Sequence, residues 1–225
     1  MFLLNKEDGT MTINGVIGED WYGGGITSAM VQQASDEMKN TKLTVRINSP
    51  GGVADEGIAI YNILRRHPGG VDTVIESLAA SAASVIALAG NKRTTLRGGR
   101  WMIHKAMTIA IGNSEDMQQV AKMLDTYDRS LVDIYGKAIT GKSSDEIMQL
   151  LGEETWYTGE ESVAAGLSTG YDDEDESEME PMNAAWFSKA PAALLTKPKA
   201  EMKPKPASQE LRRLQLKLAM MRCAK

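Results

Sequence analysis

Lys42-Leu43-Thr44-Val45-Arg46-Ile47-Asn48-Ser49-Pro50-Gly51-Gly52 is the stretch on which the fold turns. Leu43, Val45 and Ile47 alternate with polar residues, so an extended chain puts all three on one buried face. Pro50, Gly51 and Gly52 then stop the strand at once, because proline lacks the amide hydrogen of a sheet ladder and glycine favours turns. Consecutive glycines let the backbone approach a ligand closely and aim N–H groups at it, as an oxyanion or a phosphate requires. The lysine of a phosphate-binding loop is missing, which argues against a nucleotide, and the same string also reads as a plain turn before a helix.

Outward from this strand the hydrophobic period switches repeatedly. Residues 10–17 read as a strand and 26–39 as a helix on the N-terminal side. On the C-terminal side a helix is predicted over 54–66, a strand over 71–75 and an apolar helix of small residues over 81–89. Short strands follow at 93–96 and 101–104, then a helical pattern over 114–140. Strands alternating with helices predict an α/β domain with parallel pairing. A helix of about 25 residues spans about 38 Å, more than such a domain needs internally, so it is expected to protrude and meet another subunit.

Two further stretches carry chemistry. Ser77-Leu78-Ala79-Ala80-Ser81-Ala82-Ala83-Ser84 is a strand-to-helix junction of small residues, and a serine in the first helical turn sits beside free N–H groups and the positive end of the dipole. Ser81 holds that place, either as a nucleophile or as a plain helix cap; Ser77 and Ser84 compete with it. His104, after the apolar Trp101-Met102-Ile103, is the side chain best suited to take a serine proton near neutral pH. His67, in a loop sequence Arg65-Arg66-His67-Pro68-Gly69-Gly70, is the weaker candidate.

Taken together, Ile47–Gly52 (INSPGG), Ala79–Ser81 (AAS) and Met102–His104 (MIH) resemble, in order and spacing, the ClpP-type serine peptidases, over about residues 12–170. The resemblance implies a ClpP/crotonase-like spiral of ββα units with a protruding long helix, followed by a flexible tail. It implies that Ser81 attacks a peptide carbonyl while His104 shuttles the proton, that the N–H groups of Gly52 and Ala82 form the oxyanion hole, and that no metal or organic cofactor takes part. It also implies protein or peptide substrates and a homo-oligomeric ring.

The third triad member departs from the family pattern. An ungapped alignment puts the family aspartate on Leu150 and a two-residue shift puts it on Gly152, and neither can orient an imidazole. Glu154, ahead of a strand-like Thr155-Trp156-Tyr157, is favoured; Asp125, Asp128 or a bare Ser–His dyad are the alternatives. A Ser–Lys dyad, as in signal-peptide peptidases that resemble this fold, would draw on Lys92 or Lys105. A non-catalytic or latent subunit serving in assembly is the third reading.

Composition bounds the rest. The 225 residues are 42% hydrophobic and 24% charged, and no apolar run approaches the ~20 residues of a membrane helix. One cysteine, Cys223, excludes an intrachain disulfide, and two histidines leave little for a zinc site. Charge is segregated. Residues 172–180 carry seven acids and no base, and 189–225 carry ten bases against two acids. A peptidase domain is therefore expected over 1–171, an acidic then Pro/Lys-rich linker over 172–206, and a basic amphipathic helix or scaffold-like element over 207–225, where Leu211, Leu214, Leu218 and Met221 form a stripe. Without interleaved aromatics the basic tail does not require a nucleic-acid partner. The first strand is expected near residue 10, without the N-terminal extension that family members use to dock a hexameric ATPase. A peptidase with such a tail resembles the ClpP-like head maturation proteases of tailed phages. That implies capsid or scaffold proteins as partners and substrates, no nucleotide requirement, the host cytoplasm as the compartment, and exposed links in the tail open to self-cleavage.

Overall fold

A computed structural model describes residues 1–19, 24–176, 182, 184, 185 and 187–195. The predicted C-terminal helix, the stripe on it and the basic links before it lie outside the described residues.

The chain forms β1 (Phe2–Asn5), β2 (Thr10–Asn14), α1 (Ser28–Glu37), β3 (Leu43–Ser49), α2 (Ala54–Arg65), β4 (Val71–Ala80), α3 (Ala82–Ala87), β5 (Arg93–Arg97) and β6 (Arg100–Ile103). The second half adds α4 (Ser114–Gly136), α5 (Ser144–Gly152), β7 (Thr155–Tyr157), α6 (Gly159–Ala164), β8 (Gly170–Glu176) and a 3-10 turn at Ala192–Leu194. One sheet runs β1-β2-β3-β4-β5-β8, with β6 pairing β4 and β7 off that path. β1–β2 and β6–β7 are antiparallel and the other pairs are parallel, which is the mixed α/β architecture the alternation predicts.

β4 organises the site. Its first half pairs β5 through Thr73–Ile75, and its end pairs β6 through Leu78–Ala80, so two strands share one edge in series. The sequence predicts only Val71–Ile75 as strand because Glu76 and Ser77 break the apolar run. Glu76 is nevertheless buried, with Arg46 as its ion-pair partner from β3. Pairing both charges lets the strand continue through a register shift to Ala80.

Three other expectations need correction. A strand precedes residue 10, since Phe2–Asn5 pairs with Thr10–Ile13 across a turn that Asn5 and Asp8 close by hydrogen bonds. The ordered fold does not stop at 171. Residues 170–176 pair with β5 at the sheet edge, where the exposed Asp173 and Glu174 are tolerated and discourage further strand addition. Past them, Ala184 and Leu194 are buried with Leu78, Ala80 and Met102, and Met182, Phe187 and Ala190 pack around them, so part of the expected linker belongs to the fold.

α4 begins with a capping box between Asn113 and Asp116, but its buried residues start only at Asp128 and continue with Leu131, Val132 and Tyr135. Its 23 residues span about 35 Å. The first turns stand clear of the core, with Met117 and Met123 exposed. The loop leading into them exposes Met107 by 70%, Ile109 by 94% and Ile111 by 97%. Among the described residues no helix is long and apolar enough to cross a membrane, and no cluster of His, Cys, Asp or Glu could hold a metal.

Candidate active site

The site forms where β3, β4 and β6 end side by side. Ser81 bridges β4 and α3 at φ 52°, ψ −127°, a conformation that costs a non-glycine residue energy and turns the chain sharply from strand to helix. Such a turn lifts the side chain clear of the sheet. Ser81 N–H bonds to Met102 O (3.0 Å), tying the turn to β6. Behind it, Ser84 Oγ donates to Ser81 O (2.6 Å) and contacts Tyr135 Oη (2.6 Å) from α4. Ser84 is therefore wholly buried and supports the turn rather than competing for substrate. Burial raises the Tyr135 phenol far above its ordinary value, outweighing its contact with Ser84, so it stays protonated. Ser77 is buried in β4.

His104 follows β6, and its Nε2 lies 2.7 Å from Ser81 Oγ. Burial pushes the imidazole below the ordinary histidine value, while the carboxylates of Glu154 and Asp128 pull it upward more weakly. The ring is thus neutral near pH 7, the form that can accept a proton. His67 sits elsewhere in the fold's interior, with Nδ1 2.8 Å from Ser35 Oγ and Nε2 2.8 Å from Thr41 O; both nitrogens are engaged in holding the loop after α2.

The turn after β3 closes the other side. Gly51 and Gly52 adopt φ 89° and 151°, in the region that favours glycine. A Cβ on Gly51 would lie 2.6 Å from Ala80 O and 2.7 Å from Ser81 Cβ, so only glycine fits against the serine turn. Ile17 N–H bonds to Gly51 O and Val53 N–H to Ile17 O, which clamps the turn on both flanks of Gly52. Neither Gly52 N–H nor Ala82 N–H donates to a described residue. A cleft of about 430 Å³ opens beside them, lined by Ile17, Gly52, Ser81, Val85, His104 and Leu131 among others.

No carboxylate among the described residues reaches hydrogen-bond or ion-pair distance of His104, so the third place is unfilled. Leu150 packs against the core and Gly152 ends α5, as unsuited to the role as the sequence implies. Asp125 is exposed on α4. Asp128 is buried, but its Oδ1 accepts from Ala106 N (2.8 Å) and its Oδ2 lies 3.9 Å from Lys105 Nζ, so it braces the chain after His104. Glu154, at φ 52°, turns its carboxylate to Ser188 N (3.0 Å), Ser188 Oγ (2.8 Å), Lys189 N (2.6 Å) and Trp156 Nε1 (3.3 Å). Burial acts to raise its pKa, but these donors outweigh burial and keep it below the usual carboxylate range. Neither Lys92 nor Lys105 hydrogen-bonds Ser81; Lys92 is exposed before β5. Sequence reasoning missed Tyr135 and the Phe187–Lys189 segment, which reach the site from distant parts of the chain.

Residues 7–170 match the Clp protease family. This chain belongs to that family. It is 33% identical over 125 residues to the ATP-dependent Clp protease proteolytic subunit 1 of Protochlamydia amoebophila, covering 54% of this chain and 60% of that protein. It is 30% identical over 167 residues to the ATP-dependent Clp protease proteolytic subunit of Ligilactobacillus salivarius, covering 73% of this chain and 83% of that one. The alignment with the Protochlamydia subunit thus spans about three fifths of that relative's length. Among solved structures, a point mutant of ClpP1 from Listeria monocytogenes superposes with a TM-score of 0.64 at 22% identity, covering 75% of this Clp-family chain and 93% of that one, which establishes the shared fold.

Proposed function

We propose that this Clp-family chain is a serine endopeptidase, and the observation that carries the proposal is the 2.7 Å contact of His104 Nε2 with Ser81 Oγ at the head of α3. Ser81 Oγ attacks the peptide carbonyl carbon as its proton passes to His104 Nε2. The charge that develops on the carbonyl oxygen is met by Gly52 N–H and Ala82 N–H, each of which contributes about 3 kcal/mol of transition-state stabilisation. His104 then gives its proton to the departing amine, leaving an ester on Ser81. A water, deprotonated by His104, cleaves that ester and releases the new carboxyl terminus. Every bond change is accounted for by these groups and water, so no nucleotide and no cofactor enters the chemistry.

Glu154 is proposed as the acid that holds His104, on the ground that it is the carboxylate with the larger electrostatic pull on that ring. Ring assembly through the exposed start of α4 and the Met107–Ile111 loop is supported by their apolar exposure. Capsid or scaffold proteins as substrates are proposed on the acidic run at 172–180 and the basic tail behind it.

Labelling of the native protein with a fluorophosphonate, followed by peptide mapping, tests the reading. A single adduct on Ser81, absent in Ser81→Ala and in heat-denatured protein, is expected, and His104→Ala should label at background. An adduct that persists in His104→Ala would point to a lysine base instead, and no adduct in any folded preparation would favour the latent assembly subunit, which the unfilled third place also suits.

A further inference from the structure

Ser188 and Lys189 are some 35 residues beyond Glu154 in sequence, yet three of the four hydrogen bonds to its carboxylate come from them. Lys189 Nζ also donates to Glu153 O. Phe187, just before them in the chain, stands edge-on to His104 with ring centroids 5.5 Å apart and edge-on to Trp156 at 5.9 Å. It also helps line a second cavity, of about 270 Å³, together with Gly51, Gly52, Ser81 and Met107. The anchor of this segment is apolar: Ala184 and Leu194 are buried against Leu78, Ala80 and Met102, the strands that carry the nucleophile and the base.

We infer that Phe187-Ser188-Lys189 is an intramolecular clamp that holds the peptidase in a latent state, by occupying the Glu154 carboxylate and covering one edge of His104. The inference rests on the peptidase reading above and specifies how that site is regulated. Two features favour a clamp over a built-in part of the working site. Glu154 spends its acceptor capacity on backbone and hydroxyl donors while the imidazole that lacks a carboxylate partner lies close enough to feel its charge. Phe187 also lines the same cavity as Gly52, Ser81 and His104, so it takes up space beside the pair that a substrate would use. Displacing the three residues frees the carboxylate to turn to the ring and opens that space in one movement. Glu154 is in this account a positioning residue, acting through His104.

The test compares full-length wild type with Ser188→Pro/Lys189→Pro, which deletes the three donors, and with Phe187→Ala, which removes the cover and leaves the backbone alone. Two readouts are taken: the rate of fluorophosphonate labelling at Ser81, and the titration of the His104 ring by NMR, simplified by there being only two histidines. The double variant should label at least about tenfold faster, within the range of up to about 10^4-fold that the orienting carboxylate of a triad supplies, and adding Glu154→Gln should cancel the gain. The His104 titration should move upward in both variants, in Phe187→Ala because the ring is uncovered and in the double variant because Glu154 is free to face it, with Asp128 adding to the upward pull and the Lys105 ammonium opposing it. Unchanged or slower labelling in both variants, with an unmoved His104 titration, would overturn the clamp. If His104 shifts as expected but Ser81 labels in none of the proteins, the clamp stands and the peptidase reading falls.

Discussion

Ser81 and Gly51 form a matched pair, one residue in a costly conformation and one with no side chain to obstruct it. Gly51→Ala would force a Cβ to within 2.6 Å of Ala80 O in a region of backbone space that alanine avoids. A loss of about 2–3 kcal/mol in folding stability is expected, read by denaturant unfolding, together with loss of Ser81 labelling. A variant as stable and reactive as wild type would show that the turn is not shaped by this contact. His104 sets a second expectation. Its working form is neutral, and because burial lowers its pKa in the fold, that form persists to lower pH than for an ordinary histidine. The acid limb of the labelling rate should therefore have its midpoint below about pH 6.5, and a midpoint at or above that value would contradict the burial of the ring.

At the scale of elements, α4 divides into a packed half and a bare half. Asp128, Leu131, Val132 and Tyr135 fasten the second half, and Tyr135 carries that support to the carbonyl of Ser81 through Ser84. The first half has no fully buried residue, and its methionines continue the exposed Met107, Ile109 and Ile111. Apolar surface of that kind is covered in assemblies. Met117→Glu with Met123→Glu should leave the circular dichroism unchanged and convert an assembled species to the 24.4 kDa monomer in light scattering. An unchanged mass would place the subunit contacts elsewhere. The sequence disclosed this helix and most strands because their periods are long or bounded by glycine and proline. It hid the end of β4, where a buried Glu76 paired with the partly exposed Arg46 imitates a solvated break, and it hid β8, where a run of acids on an edge strand reads as a solvated linker.

For the molecule as a whole, the candidate site residues were legible because each sits in a short string whose backbone role demands those residue types: Gly51-Gly52 in the turn, small residues around Ser81, and His104 just beyond a buried strand. What was not legible depends on long-range encounters. Nothing local to Glu154 indicates that its partners come from residues 188 and 189, and nothing near Tyr135 indicates Ser84. The surroundings of the Glu154 carboxylate are accordingly the part of the site that folding of the distant chain decides.

The hydrogen bond from Ser81 N–H to Met102 O continues the β4–β6 ladder past its last rung, so Ser81 and His104 are neighbours just beyond the ends of two paired strands. Their spacing is inherited from the sheet, and a sheet does not loosen by degrees; it holds or it melts cooperatively. Heating should therefore leave the Ser81–His104 contact intact up to the global unfolding transition, while the peripheral contact of residues 187–189 opens at lower temperature, so that reactivity rises before it vanishes.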